Sequence, residues 1–193
     1  MIRNLAADVA AFSSNVFLVD GERTVLVDPG ANFDVAAAIR EHVADLDTVV
    51  LTHTHEDHVG NLPAVKEAFG VDAWGFDTAQ DGVDHELIDG DSVLLGDHEY
   101  EVLHTPGHKD DHVCLYARES GVLFAGDLVF ANGSFGRTDL AEGDRATLVD
   151  SIDRLLELLD EDLAAMHTGH GPSVTDDPRS HVELARQMAA GAR

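Results

Sequence analysis

His53-Thr54-His55-Glu56-Asp57-His58 follows directly on the apolar run Val49-Val50-Leu51-Thr52. Three imidazoles and the carboxylate of Asp57 thus fall within one turn, straight after a stretch that reads as a buried strand. Imidazole nitrogen and carboxylate oxygen are the donors that zinc and iron favour, and a strand ending in a tight loop can aim several of them at one point. His53 and His55 are two residues apart and can point the same way from an extended segment. Asp57 and His58 sit where the chain turns into the helix-like stretch Asn61 to Phe69, so one loop can feed two adjacent sites. The competing reading, a solvated histidine-rich turn, leaves the matching residues downstream unexplained.

Those residues are His108 in Thr105-Pro106-Gly107-His108, Asp127 in Phe124-Ala125-Gly126-Asp127, and His170 in Thr168-Gly169-His170-Gly171-Pro172. Each follows a short apolar segment and a glycine. Any one alone would read as a satisfied surface or core histidine or a loop acid. With the first cluster they make seven candidate donors, enough for two metal ions. Two dications side by side repel, so a carboxylate between them and a shared hydroxide are what electrostatics asks for.

On these motifs the chain resembles the metallo-beta-lactamase fold superfamily, and within it the glyoxalase II-like branch. The likeness runs from Ser14-Asn15-Val16-Phe17-Leu18-Val19 and Val25-Leu26-Val27-Asp28-Pro29-Gly30, through Thr52 to Asn61, to His170-Gly171-Pro172. It implies an α/β fold, a four-layer αββα sandwich with ligands on loops at strand ends. It also implies that His53, His55 and His108 hold one divalent ion and Asp57, His58 and His170 a second. Asp127 would bridge them, with Asp57 and Asp127 as the carboxylates engaged in catalysis. The cofactor expected is a pair of divalent ions, zinc first, with iron or manganese as alternatives. Asp28 is expected to orient a ligand histidine from behind.

The implied reaction is hydrolysis of a small thioester by a metal-bound hydroxide, with no serine or cysteine nucleophile. Class B beta-lactamases usually place a cysteine where Asp127 stands, and flavodiiron proteins an acid where His55 stands. A tRNA-processing nuclease of this fold would need positive charge and a clamping insertion that the chain lacks. The segment Gly133-Ser134-Phe135-Gly136-Arg137-Thr138-Asp139-Leu140 resembles one shared by compact glyoxalase II-like hydrolases and persulfide dioxygenases. A mono-iron dioxygenase using the positions of His53, His108 and Asp127 is therefore the alternative. Such dioxygenases tend to carry an arginine where this chain has Phe130-Ala131-Asn132-Gly133, which favours the hydrolase. A metal-binding relic without activity is a third reading.

Two departures bear on substrate. The glutathione-binding helical domain of full-length glyoxalase II has no counterpart in the 23 residues after His170. The family pattern Thr-Pro-Gly-His-Thr-x-Gly-His becomes Thr105-Pro106-Gly107-His108-Lys109-Asp110-Asp111-His112. Asp111 then reads as a solvated loop acid or as an acidic lip at the substrate entrance, and His112 as a packing or supporting residue. Histidines 42, 85, 98, 104, 167 and 181 are expected to be ordinary, with His42 and His181 on helix surfaces.

The 193 residues suit one domain, 1–193, with no linker, repeat or low-complexity run to divide them. No leader and no apolar run long enough to span a bilayer is evident, so the expectation is a soluble cytoplasmic protein without a membrane partner. The single cysteine, Cys114, allows no internal disulfide and reads as a small buried hydrophobe. Thirty-seven acids against 12 bases give a net charge of −25. The acids are dispersed, which disfavours a nucleic-acid partner and suits a protein that works in high salt on a small-molecule substrate.

Periodicity predicts strands near 15–19, 24–28, 47–52, 72–75, 92–95, 99–104, 112–117, 122–126 and 163–166, and helices near 34–43, 61–69, 144–159 and 178–190. Leu148, Ile152, Leu155, Leu156 and Leu159 form the stripe of the third helix, with Asp144 as its cap. Sheet-plus-helix halves follow from that order.

Overall fold

The computed structural model describes residues 1–191. They form two compact units, Met1–Leu87 with Val93–Glu99, and Ile88–Ser92 with the chain from Tyr100 onward.

The first unit is built on a six-stranded sheet in chain order: β1 (Ile2–Asn4), β2 (Phe17–Val19), β3 (Val25–Val27), β4 (Thr48–Val50), β5 (Ala73–Gly75) and β6 (His85–Glu86). The first three strands pair antiparallel, and β3 to β6 run parallel. β2, β3 and β4 are buried at every position, which is why their sequences read as unbroken apolar runs instead of alternating ones. Leu18, Leu26 and Val49 lie in register and pack with Val35 and Ile39 of α1 (Val35–Arg40) and Leu62 and Val65 of α3 (Leu62–Phe69). Asp34 caps α1 through the Ala37 amide at 3.0 Å. Gly70, in the left-handed region at φ 68°, ends α3. Between β4 and α3 lies a four-residue helix, α2 (Glu56–Val59).

In the second sheet the order is β11-β10-β9-β8-β7, with β7 (Ser92–Leu95), β8 (His98–His104), β9 (Val113–Ala117), β10 (Val122–Gly126) and β11 (Ala165–Thr168). β8, β9 and β10 pair antiparallel, while β10 and β11 are parallel and are joined through α4 (Arg145–Leu158). α4 and α5 (Pro178–Gly191) pack together over the second unit's core, where Leu148, Ile152 and Leu155 meet Leu123, Met166, Val182 and Ala185. Asp144 caps α4 by accepting the Thr147 amide at 2.7 Å, as its sequence predicts.

The mixed α/β class and the two sheets match the sequence expectation; the edges differ for physical reasons. β1 and β6 are too short to show a pattern. β11 starts two residues later than predicted, at Ala165, where the chain comes into register with Val122 of β10. α1 stops at Arg40, and His42 follows it exposed. No described helix is long and apolar enough to cross a membrane.

Candidate metal centre

In the first unit the chain leaves β4 extended and enters α2 at His55, whose φ and ψ of −68° and 146° mark the last extended residue. The break sorts the donors. His53 Nε2 and His55 Nδ1 converge to 3.1 Å. Two nitrogens bound tetrahedrally to one zinc at about 2.05 Å stand about 3.3 Å apart, so this pair has the spacing of an edge of such a site. His58, in the first turn of α2, stacks against His53 with ring centroids 4.0 Å apart. Asp57 and His58 likewise bring their donor atoms within 4.8 Å of each other.

Asp28 fixes this group from behind. Its Oδ2 accepts from His58 Nδ1 at 2.8 Å and from Thr52 Oγ1 at 2.7 Å, and its Oδ1 accepts the Thr52 amide at 2.8 Å. A carboxylate only accepts, so the His58 proton sits on Nδ1 and Nε2 carries the lone pair. Because the Thr52 hydroxyl gives its proton to Asp28, it accepts from His53 Nδ1 at 3.2 Å and sets that ring the same way. Asp28 is 3% exposed and takes a φ of 55°, a conformation that aspartate tolerates better than bulky residues. The Gly30 amide donates to the His58 carbonyl at 2.9 Å, locking the Asp28-Pro29-Gly30 turn onto α2. The sequence pointed to Asp28; it gave no sign of the part played by Thr52.

The second unit brings together His108, Asp127 and His170 from three loops. Asp127 Oδ2 lies 3.5 Å from His108 Nε2 and 3.6 Å from His170 Nε2. One carboxylate oxygen is thus placed evenly between two imidazoles. The β10–β11 register slips between Phe124 and Gly126, and Gly126 takes a φ of 48°. That bulge swings Asp127 out of the strand. The Asp127 amide donates to His112 Nε2 at 3.0 Å, and His112 Nδ1 pairs with Thr105 Oγ1 at 2.8 Å. Both nitrogens of His112 are therefore engaged in holding the Asp127 loop, in line with a supporting role. His108 Nδ1 donates to the Arg137 carbonyl at 2.8 Å, leaving Nε2 directed toward Asp127. Gly136 makes this approach possible, since a Cβ there would stand 2.0 Å from the Asp127 carbonyl oxygen and 3.0 Å from His108 Cβ. The Gly136-Arg137-Thr138-Asp139 motif thus contributes a main-chain acceptor, while the Arg137 side chain pairs with exposed Asp139.

One expectation is corrected. Asp111 is neither a solvated loop acid nor an acidic lip: it is 3% exposed, with Lys109 Nζ 3.4 Å from its carboxylate. Lys109 is itself buried and donates to Glu142 Oε2 at 2.9 Å. Burial opposes the ammonium charge, yet Glu142 and Asp111 more than offset it and hold the Lys109 pKa above the ordinary lysine value. His181 lies on α5 as expected, half-buried, and accepts the Asn132 amide at 2.8 Å. Cys114 is fully buried, which pushes its thiol up to about 12 and makes it inert, as expected.

Among the described residues, His and Asp side chains are thus grouped closely enough to hold a metal ion. Every ring nitrogen fixed by Asp28, Thr52 or Arg137 leaves the opposite nitrogen as the donor, which is the arrangement a ligand histidine needs. Comparison with known proteins identifies the family. A family model described as the metallo-beta-lactamase superfamily matches residues 9–81 and 75–170. A hydroxyacylglutathione hydrolase, GloC, of Haemophilus influenzae is 33% identical over 192 residues, covering 86% of this chain and 90% of that protein. The hydroxyacylglutathione hydrolase of Klebsiella pneumoniae is 35% identical over 80% of this chain, which spans 62% of its length. The crystal structure of TTHA1623 in a di-iron-bound form superposes with a TM-score of 0.74 at 30% identity, covering 95% of this chain and 96% of that one.

Proposed function

The chain belongs to the metallo-beta-lactamase superfamily, and from that premise we propose that it is a metal-dependent hydrolase cleaving small acyl thioesters. The observation that carries this reading is the placement of Asp127 Oδ2 at 3.5 and 3.6 Å from two imidazole nitrogens. A shared carboxylate between two donor groups suits a two-metal site, where it offsets the repulsion of the dications. We assign His53, His55 and His108 to one ion, Asp57, His58 and His170 to the other, and Asp127 to both. Zinc is the expected metal. Two divalent ions so held would supply Lewis acidity toward a carbonyl and would lower the pKa of bound water to about 7.

The residues of the chain do the rest. Asp28 and Thr52 keep the His58 and His53 rings in one tautomer, so that metal binding need not compete with ring flips. Asp57 lines a cavity of about 360 Å³ with Phe12, Asn32 and Asn61. That cavity admits substrate beside the carboxylate, where Asp57 can take the proton released as water adds to the thioester carbon. Collapse of the adduct breaks the C–S bond, and the products are a carboxylic acid and a thiol. The hydrolase names of the Haemophilus and Klebsiella relatives support a thioester over other acyl groups. We leave the thiol carrier general, because the chain spans 62% of the Klebsiella relative's length.

The test is turnover of a panel of small thioesters in high salt, alongside metal analysis, for the parent and Asp127→Ala. The expected outcome is up to two ions per parental chain, with a loss of metal and of most turnover in the variant. Parental turnover by Asp127→Ala would refute the mechanism. Oxygen consumption with a low-molecular-weight persulfide, one ion per chain and no thioester cleavage would replace it with the mono-iron dioxygenase.

A further inference from the structure

We infer that Lys109 is a positioning residue for His108, its buried ammonium fastening the His108 loop to the 136–143 segment whose Arg137 carbonyl fixes the His108 ring. This inference rests on the reading of His108 as a metal ligand.

A lysine at 4% exposure is costly unless its charge is paired and its hydrogen-bonding capacity used. Here the ammonium meets two carboxylates of different character. Asp111, at 3.4 Å, is buried on the same loop. Glu142, at 2.9 Å, is 42% exposed at its side chain and lies 33 residues along the chain. Were the lysine present only to neutralise Asp111, nothing would require the second, shorter contact across to another segment. That contact completes a frame. On the N-terminal side of His108, the Pro106 carbonyl accepts from Ser151 Oγ at 2.7 Å and the Gly107 carbonyl from the Asp144 amide at 2.8 Å. Lys109 with Glu142 is the corresponding tie on the C-terminal side, so His108 is held between two anchored neighbours. Its ring then has one direction in which Nδ1 reaches the Arg137 carbonyl at 2.8 Å.

The decisive variants are Glu142→Ala, which cuts the tie from an exposed position, and the double variant Lys109→Met with Asp111→Leu, which removes both buried charges together. Removing an outer support of a ligand histidine lowers metal affinity about 10- to 100-fold. Both variants should lose about 10-fold or more in zinc affinity, read by competition with a chromophoric chelator. Glu142→Ala should keep the parental unfolding midpoint in the metal-free state. In that same state the ¹⁵N signals of the His108 ring should pass from a single Nδ1-protonated form in the parent to tautomer averaging in both variants. A merely structural lysine would leave that ring signature unmoved. Parental affinity and ring signals in Glu142→Ala would overturn the inference, as would full recovery in the double variant, which would reduce Lys109 to a counter-ion for Asp111. A parent that binds no zinc while its His108 signals still respond to Glu142→Ala would refute the metal reading and leave the positioning role standing.

Discussion

Asp28 shows how a candidate metal centre can be organised by a residue outside its proposed donor set. Its two oxygens accept three hydrogen bonds from the neck of the ligand loop. In Asp28→Asn one oxygen becomes an amide donor facing groups that themselves donate. We expect metal affinity to fall about 10- to 100-fold and stability by about 1–3 kcal/mol, read by chelator competition and urea unfolding. His167 yields a second prediction at this scale. Desolvation lowers its pKa from 6.5 to about 4, and its Nδ1 pairs with Ser173 Oγ at 2.8 Å. Above pH 6.5 the ring is neutral whether the chain is folded or not. Between 6.5 and 4 the unfolded chain takes up a proton that the folded ring refuses, so stability falls as pH falls through that window. His167→Gln should show a shallower fall over the same window in urea titrations. Equal slopes would remove His167 from the acid sensitivity. The seven proposed donors could be singled out at this scale because ligand chemistry restricts residue type. Thr52 and the Arg137 carbonyl could not: a threonine ending a strand looks ordinary, and a main-chain acceptor has no residue identity at all.

Elements place these residues through short breaks in regular structure. α2 begins where the ligand loop stops being extended, and β10 is bulged at the step before Asp127. α4 was readable because burial imposes a helical period over 14 residues, and β9 and β10 because burial on both faces leaves an unbroken apolar run. Breaks of one to four residues have no period to read. The burial of Asp111 and Lys109 was hidden for a related reason, since two charges in a loop sequence signal solvent until a partner such as Glu142 arrives from elsewhere in the chain. Gly136→Ala tests the tightest of these junctions. Its Cβ would meet the Asp127 carbonyl oxygen at 2.0 Å and His108 Cβ at 3.0 Å, so the segment around Gly136 must move away from the Asp127 loop first. We expect a loss of about 1–3 kcal/mol, the usual range for overpacking, together with loss of metal. Full metal content at parental stability would show the junction to be more compliant than its geometry implies.

For the whole molecule the dominant quantity is charge. With 37 acids against 12 bases, and only two lysines among the latter, repulsion between carboxylates is long-ranged in dilute buffer. Raising ionic strength from 0.1 to 1 M shortens the screening length from about 10 Å to about 3 Å. We propose that the protein is adapted to high salt and expect its unfolding midpoint to rise across that interval. A stabilisation of about 2 kcal/mol would appear as a rise of roughly 4–8 °C at this chain length. A flat or falling midpoint in potassium chloride would reject the proposal.

The two donor groups also differ in how far apart they lie along the chain. His53 to His58 occupy six consecutive residues, whereas His108, Asp127 and His170 are spread over 63. The short group survives denaturation as a chelating peptide; the dispersed one exists only once three strands have come together. Metal will therefore bind the denatured chain appreciably through the hexapeptide, and the thermal shift on loading will fall short of what the native affinity alone would give. Refolding started with the ion already present begins from a chain carrying its cargo at residues 53–58, so recovery should depend on whether metal is added before or after the denaturant is diluted.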